Sequence, residues 1–268
     1  MSLLQSKTNM FNGVIVDPCT LPKLADEFGP ALSRSVRAWA RQGCDVVWLE
    51  IPIAQADLIP VAVNAGFVFH HSAPDYLMLV YRLSADAFVP PFASHYIGAG
   101  GIVINDRQEL LVVWEKAHRS NGRRYYKLPG GTLHQGEHLV DGVIREVEEE
   151  TGVRTRFESL VCFRHWHGYR FGKSDIYFIC RLSPLTRAIT IQVSEIAECL
   201  WMPVEAYLAS EYVGIFNKRI VQTALHAAGA LVPTWINGYQ SDPAAREIFM
   251  PGSGFGSPGA VSTAGLQS

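Results

Sequence analysis

Residues 131–153 read GTLHQGEHLVDGVIREVEEETGV, and this stretch decides the fold. Leu139, Val140, Val143, Ile144 and Val147 recur at helical spacing, so Leu139–Thr151 is predicted to be a helix with one face turned inward. Glu146, Glu149 and Glu150 stand at i, i+3 and i+4, within an arc of roughly 100° beside the apolar stripe. Glu148 falls on the other flank. Like charges at this spacing repel, and they sit near the end of the helix where the dipole disfavours negative charge. A bare EVEEE run reads most simply as a solvated face. The surroundings argue for more. Pro129-Gly130-Gly131 lets the backbone approach a ligand closely, because glycine has no Cβ. Gly152 suits a left-handed helix cap. Glu137 and Arg145 are placed to pair across loop and helix and to hold the acidic arc. A hard divalent cation with oxygen ligands, Mg²⁺ or Mn²⁺, would compensate the arc and could share phosphate oxygens.

Gly131, Glu137, Arg145, Glu146, Val147, Glu149, Glu150, Gly152 and Val153 fill every fixed position of the pattern G-x5-E-x7-R-E-U-x-E-E-x-G-U, with U apolar. On these residues the segment resembles the Nudix box. The resemblance implies an α+β chain built on an α/β/α sandwich that hydrolyses a nucleoside diphosphate linked to another group X with a divalent metal. It implies Glu146 and Glu150 as direct metal ligands, and Glu149 as a ligand through water or as general base. The Gly130 carbonyl would join the metal shell and Arg145 would orient the carboxylates. Family members often add an acid from a loop near the last strand. Glu195 and Glu198 are the candidates, with Glu195 preferred.

The likeness reaches from about residue 12 to residue 230. Val47-Trp-Leu-Glu-Ile-Pro52, Gly66-Phe-Val-Phe-His-His71, Ala93-Ser-His95, Phe171-Gly-Lys-Ser-Asp175 and Trp201-Met202 are similar to the two-domain Nudix hydrolases. That subgroup includes plant ADP-ribose/NADH pyrophosphatases and an animal relative encoded antisense to a growth-factor gene. It implies ADP-ribose or NADH as substrate, a homodimer, and a small N-terminal α/β domain resembling half of an N-acetyltransferase fold. Residues 28–33 lack the glycine-rich turn that holds CoA, so a scaffold, dimerisation or substrate-capping role is expected there. Another X (a nucleoside triphosphate, capped RNA or CoA) and a non-catalytic nucleotide sensor are the competing functions.

The expected organisation is an N-terminal domain over 1–84 and a linker over 85–94 around Pro90-Pro91. The Nudix domain then spans 95–230, followed by an extension over 231–250 and a disordered tail over 251–268. The tail is rich in glycine, serine, proline and alanine and has no charge. Within the second domain, Phe157–His167 and Ser174–Leu182 read as a hairpin. His165, His167, Tyr169 and Arg170 crowd it as candidates to stack on a base or touch phosphate. Ordinary strand-pair packing is the competing explanation for these aromatics.

Composition limits the alternatives. The 268 residues carry 23 Lys plus Arg against 25 Asp plus Glu, a formal net charge of −2, which argues against a protein that coats nucleic acid. A chain that is 48% hydrophobic has ample apolar sequence for a core, yet it shows no membrane-length run and no secretory leader. Its five cysteines are scattered and odd in number, which reads as buried thiols in a reducing cytoplasm. The basic loop 116–124 is expected to be a solvated turn.

Overall fold

The structure, a computed structural model, describes residues 3–116, 124–226, 231–233 and 249–251. The chain divides into two compact units, Met1–Ser94 and His95–Ser268. Most of the expected basic loop, most of the extension and nearly all of the tail lie outside the described residues.

The first unit contains β1 (Ser6–Thr8), β2 (Gly13–Val16), α1 (Ala25–Arg41), β3 (Val46–Pro52), α2 (Ile59–Asn64), β4 (Val68–Ala73) and β5 (Tyr76–Arg82). The strands form one sheet in the order β1-β2-β3-β5-β4. Helix α1 turns Phe28, Ala31, Leu32, Ser35 and Trp39 inward. The sequence places its start at Ala31, but the helix begins at Ala25 and runs through Pro30. A proline within the first two turns removes few intrahelical bonds, so the apolar stripe outweighs it. The expected single helix over 56–65 is a 3₁₀ turn, Ile53–Leu58, followed by the short α2.

The second unit contains β6 (His95–Val103), β7 (Glu109–Glu115), β8 (Gly130–Thr132), α3 (Leu139–Thr151), β9 (Thr155–Trp166) and β10 (Ser174–Pro184). It continues with β11 (Ile196–Pro203), α4 (Val204–Ala209), α5 (Ile215–His226), β12 (Leu231–Pro233) and β13 (Phe249–Pro251). Six strands form a sheet in the order β13-β12-β9-β10-β6-β8, and β7 pairs with β11. The central pair β6/β10 is parallel, whereas β10/β9 and β6/β8 are antiparallel.

Alternation along the strands splits the core in two. Ala99, Val103, Leu111, Cys180 and Leu182 pack with Leu139, Val143 and Val147 of α3. Ile102, Leu110, Val112 and Ile179 pack with Val204 and Tyr207 of α4 and with Ile220, Val221 and Ala224 of α5. Helices therefore cover both faces, giving the α/β/α sandwich. Val143 and Val147 are fully buried, which contributes about 2 kcal/mol each. Their burial fixes the rotation of α3 and hence the direction of its carboxylates.

Candidate functional site

Helix α3 spans the predicted residues. Gly152 ends it at φ 71°, its N–H donating to the Glu148 carbonyl at 2.7 Å. A side chain there would meet Thr190 at 2.9 Å, so the position requires glycine for room as well as for conformation. Strand β8 brings Gly130 and Gly131 against β6. Gly130 has φ 146°, and a Cβ on it would press on the β6 backbone and on the Tyr177 hydroxyl at 2.7 Å. A Cβ on Gly131 would fall 2.5 Å from a Glu146 carboxylate oxygen. The two glycines thus bring a bare backbone edge up to the acidic arc.

The arc is organised by one arginine. Arg145 grips Glu137 with two bonds, Nε to Oε1 at 2.7 Å and Nη2 to Oε2 at 2.8 Å. Its Nη1 donates to Glu146 and to Glu149, both at 3.0 Å, and Nη2 reaches the Thr132 carbonyl at 3.3 Å. The guanidinium and the His134 N–H hold the Glu137 carboxyl down at about 2, against the penalty of burial.

Glu150 differs from its neighbours. It is 4% exposed, and its Oε2 accepts the Gly130 N–H at 2.8 Å. Burial pushes its carboxyl up to about 7, opposed by Lys127 and the Gly130 N–H and reinforced by Glu115 and Glu146. The Lys127 ammonium stands 3.8 Å from Glu150 Oε1 and 3.4 Å from the Gly130 carbonyl, and it pairs with Glu115. A lysine cation is therefore already drawn to the place where the Glu150 and Glu115 carboxylates and the Gly130 carbonyl meet. This donor set, all oxygen with one buried carboxylate whose charge needs compensation, fits a hard divalent cation. Glu150, Glu115 and the Gly130 carbonyl, with Glu146 beside Gly131, are the groups that could hold it, although no three His, Cys, Asp or Glu side chains among the described residues are already gathered as a metal-holding group. Glu149 has a half-exposed side chain at the rim, suited to act through water.

Beside this arc opens a cleft of about 720 Å³. Glu115, Lys127, Gly130 and Gly131 line one end, and Arg164, Trp166, Tyr169 and Arg170 the other, with Tyr177 between them. Two of the predicted substrate residues, Tyr169 and Arg170, line it; His165 and His167 do not. The register gives the reason. Trp166, Asp175 and Tyr96 form one row across β9, β10 and β6, and Arg164, Tyr177 and Gly98 the next row on that face. His165 pairs with Ile176 and so points to the opposite face. There it meets His95, with Nε2 atoms 2.9 Å apart, while His167 bonds Ser174 Oγ at 3.0 Å. His165 is thus one position out of phase with the cleft face of β9.

Neither candidate for an additional acid lines the cleft. Glu195 is exposed, and its carbonyl accepts the Lys116 N–H at 2.8 Å. Glu198 bonds the Tyr126 hydroxyl at 2.8 Å and Arg124 at 3.4 Å. Among the described residues, the carboxylate outside α3 that faces the box end of the cleft is Glu115, the last residue of β7. Nothing in the sequence around Glu115 marks it; only the β7/β11 pairing and the Lys127 contact do. Thiol chemistry finds no support beside the arc, since burial, and then Glu150, push Cys199 up to about 12.

Comparison with known proteins agrees with this geometry. Residues 94–223 match the family model of the NUDIX domain, and residues 4–83 match a model described as a Nudix hydrolase domain. Nudix hydrolase 2 of Arabidopsis thaliana is 42% identical over 213 residues, covering 79% of this chain and 76% of that protein. The chain belongs to the Nudix family. Nudix hydrolase 8 of Arabidopsis thaliana is 37% identical over 246 residues, covering 83% of this chain and 67% of its own length. The human protein named nucleoside diphosphate-linked moiety X motif 6 is 33% identical over 231 residues, covering 83% of this chain and 72% of that protein. This Nudix chain is accordingly a pyrophosphohydrolase, acting on an anhydride between phosphoryl groups. No helix among the described residues is long and apolar enough to cross a membrane.

Proposed function

We propose that this Nudix hydrolase cleaves the diphosphate of a nucleoside diphosphate linked to X with a divalent metal, and that X makes the substrate ADP-ribose or NADH. The observation that carries the reading is the buried Glu150 carboxylate beside Gly130, Glu146 and Glu115, with a cation already drawn to it. A bound Mg²⁺ or Mn²⁺ would supply positive charge on the diphosphate oxygens and a lower pKa for its water.

The chain's own residues do the rest. Glu146, Glu150 and the Gly130 carbonyl would hold the ion. Arg145 keeps Glu146 and Glu149 aimed at the same region. Glu149, at the solvated rim, takes the proton of the attacking water. The oxygen of that water bonds to one phosphorus while the bond from that phosphorus to the bridging oxygen breaks, and the bridging oxygen leaves on the other phosphate. From ADP-ribose the products are AMP and ribose 5-phosphate. The Gly130-Gly131 edge, which lines the cleft beside Glu115 and Lys127, would face the diphosphate. The aromatic and cationic far end of the cleft has room for a nucleoside, which favours a dinucleotide-like substrate over a bare triphosphate. Residues 1–94, with no glycine-rich CoA turn, act as a scaffold.

The test is release of mononucleotide from ADP-ribose, NADH, NAD⁺, CoA and nucleoside triphosphates with Mg²⁺, with Mn²⁺ and with chelator. AMP from ADP-ribose or NADH that disappears with chelator is expected. Glu150→Gln should lower kcat at least about a thousandfold in a folded protein. Unchanged turnover in that variant would sink the metal assignment.

A further inference from the structure

Asp175 belongs to a stretch that the family likeness singles out, and the chemistry above leaves it without a task. It is buried, at 6% exposure, on the cleft face of β10. Its Oδ2 accepts a bond from Arg164 Nη2 at 2.6 Å across to β9. That bond fixes an arginine in an aromatic setting. The Arg164 guanidinium carbon lies 5.3 Å from the Trp166 ring, 5.5 Å from the Tyr177 ring and 6.0 Å from the Phe216 ring of α5. Its Nε is buried with no hydrogen-bond partner. A buried carboxylate on one edge and aromatic rings around it hold the guanidinium in one orientation.

The place of this group along the cleft matters. Tyr177 spans the interval, with its hydroxyl end against Gly100 and Gly130 and its ring beside Arg164. The guanidinium is thus about one tyrosine ring away from the backbone edge that would face the diphosphate. It belongs to a different carboxylate from those of the box, so it does not compete with Lys127 or Arg145 for the acidic arc. A planar, delocalised cation at that remove, beside Trp166, matches a nucleobase in shape, because guanidinium and indole both stack on π faces.

We propose that Arg164, held in place by Asp175, is the residue that stacks against the base of the nucleoside diphosphate, and that Asp175 is a positioning residue acting through it. The inference rests on the cleft being the substrate site of the hydrolase, yet binding can be tested without turnover.

The experiment is calorimetric binding of AMP, ADP-ribose and inorganic pyrophosphate in chelator, to wild type, Arg164→Ala, Arg164→Lys and Asp175→Asn, each checked by thermal melting. Arg164→Ala is expected to weaken AMP and ADP-ribose about tenfold and to leave pyrophosphate within about twofold. Arg164→Lys, which keeps the charge and loses the plane, should behave like the alanine variant. Asp175→Asn should weaken AMP about threefold with the same selectivity, a split that a merely structural role would not produce. Three results would overturn the proposal: unchanged AMP binding in a folded Arg164 variant, equal weakening of AMP and pyrophosphate, or a wild type that binds no AMP. Normal Arg164-dependent binding with no metal-dependent hydrolysis would instead refute the hydrolytic reading and leave this one standing.

Discussion

The acidic arc beside the cleft and the far end of the cleft each contain an arginine on a carboxylate, and the two pairs are built for different tasks. At the arc, Arg145 spends its donors inside the protein, two on Glu137 and the rest on Glu146, Glu149 and the Thr132 carbonyl. It is a strut. At the hairpin end, Arg164 has one bond to Asp175 and otherwise faces rings. Counting the partners of each guanidinium separates a group that shapes the site from one that is left available to meet a ligand.

The comparison breaks most visibly at the strut. Arg145→Ala leaves Glu137, Glu146 and Glu149 without their shared partner, and unfolding free energy should fall by about 3 kcal/mol in urea melts. With Glu146 and Glu149 released, kcat should fall about a hundredfold, whereas KM should change little, the reverse of the weakened binding expected of Arg164 variants. Acid titration sharpens the same point more gently. Glu137 has its carboxyl lowered from 4.5 to about 2 in the folded protein, so its stabilisation is complete above 4.5 and is lost as pH falls toward 2. Stability at neutral pH should include up to about 3 kcal/mol from this pair. Glu137→Gln should flatten the fall in melting temperature between pH 4.5 and pH 2; an unchanged slope would remove Arg145 from its role as strut. The smallest effect is expected on the face behind the hairpin. His165→Ala combined with His167→Ala should leave ADP-ribose binding within about twofold and stability within about 0.5 kcal/mol, since both side chains are exposed away from the cleft.

These contrasts also show how far the sequence could be read. The box was legible because its residues lie on one helix and one adjoining loop, where spacing translates directly into direction. Apolar Val143 and Val147 set the rotation of α3, and the acidic arc follows. Glu115 was not legible, because its place depends on how β7 lies beside β11, a pairing over some 80 residues of chain that no local pattern records. The hairpin was half legible. Its strands are evident from β-branched and aromatic residues, but which of two alternating faces meets the cleft is decided by packing against α3 on one side and α5 on the other. Of the four residues that side-chain chemistry suggests, Tyr169 and Arg170 line the cleft and His165 and His167 do not; Arg164 and Trp166, which chemistry alone does not mark, also line it. The start of α1 was obscured by Pro30, which the helix accommodates near its beginning.

The alternation of the hairpin makes it a two-sided instrument for protein engineering. Positions 164 and 166 of β9, with 175 and 177 of β10, form a panel on which substrate choice could be rewritten without touching the box. Positions 165 and 167 carry side chains on the reverse and can take a fluorophore or a surface tether at little cost to the cleft. A single residue inserted or deleted in β9 between Phe163 and Trp166 would exchange the two panels, delivering imidazoles to the nucleotide and sending the arginine to solvent. Length in this strand is therefore under tighter constraint than the identity of any one residue on its outer face.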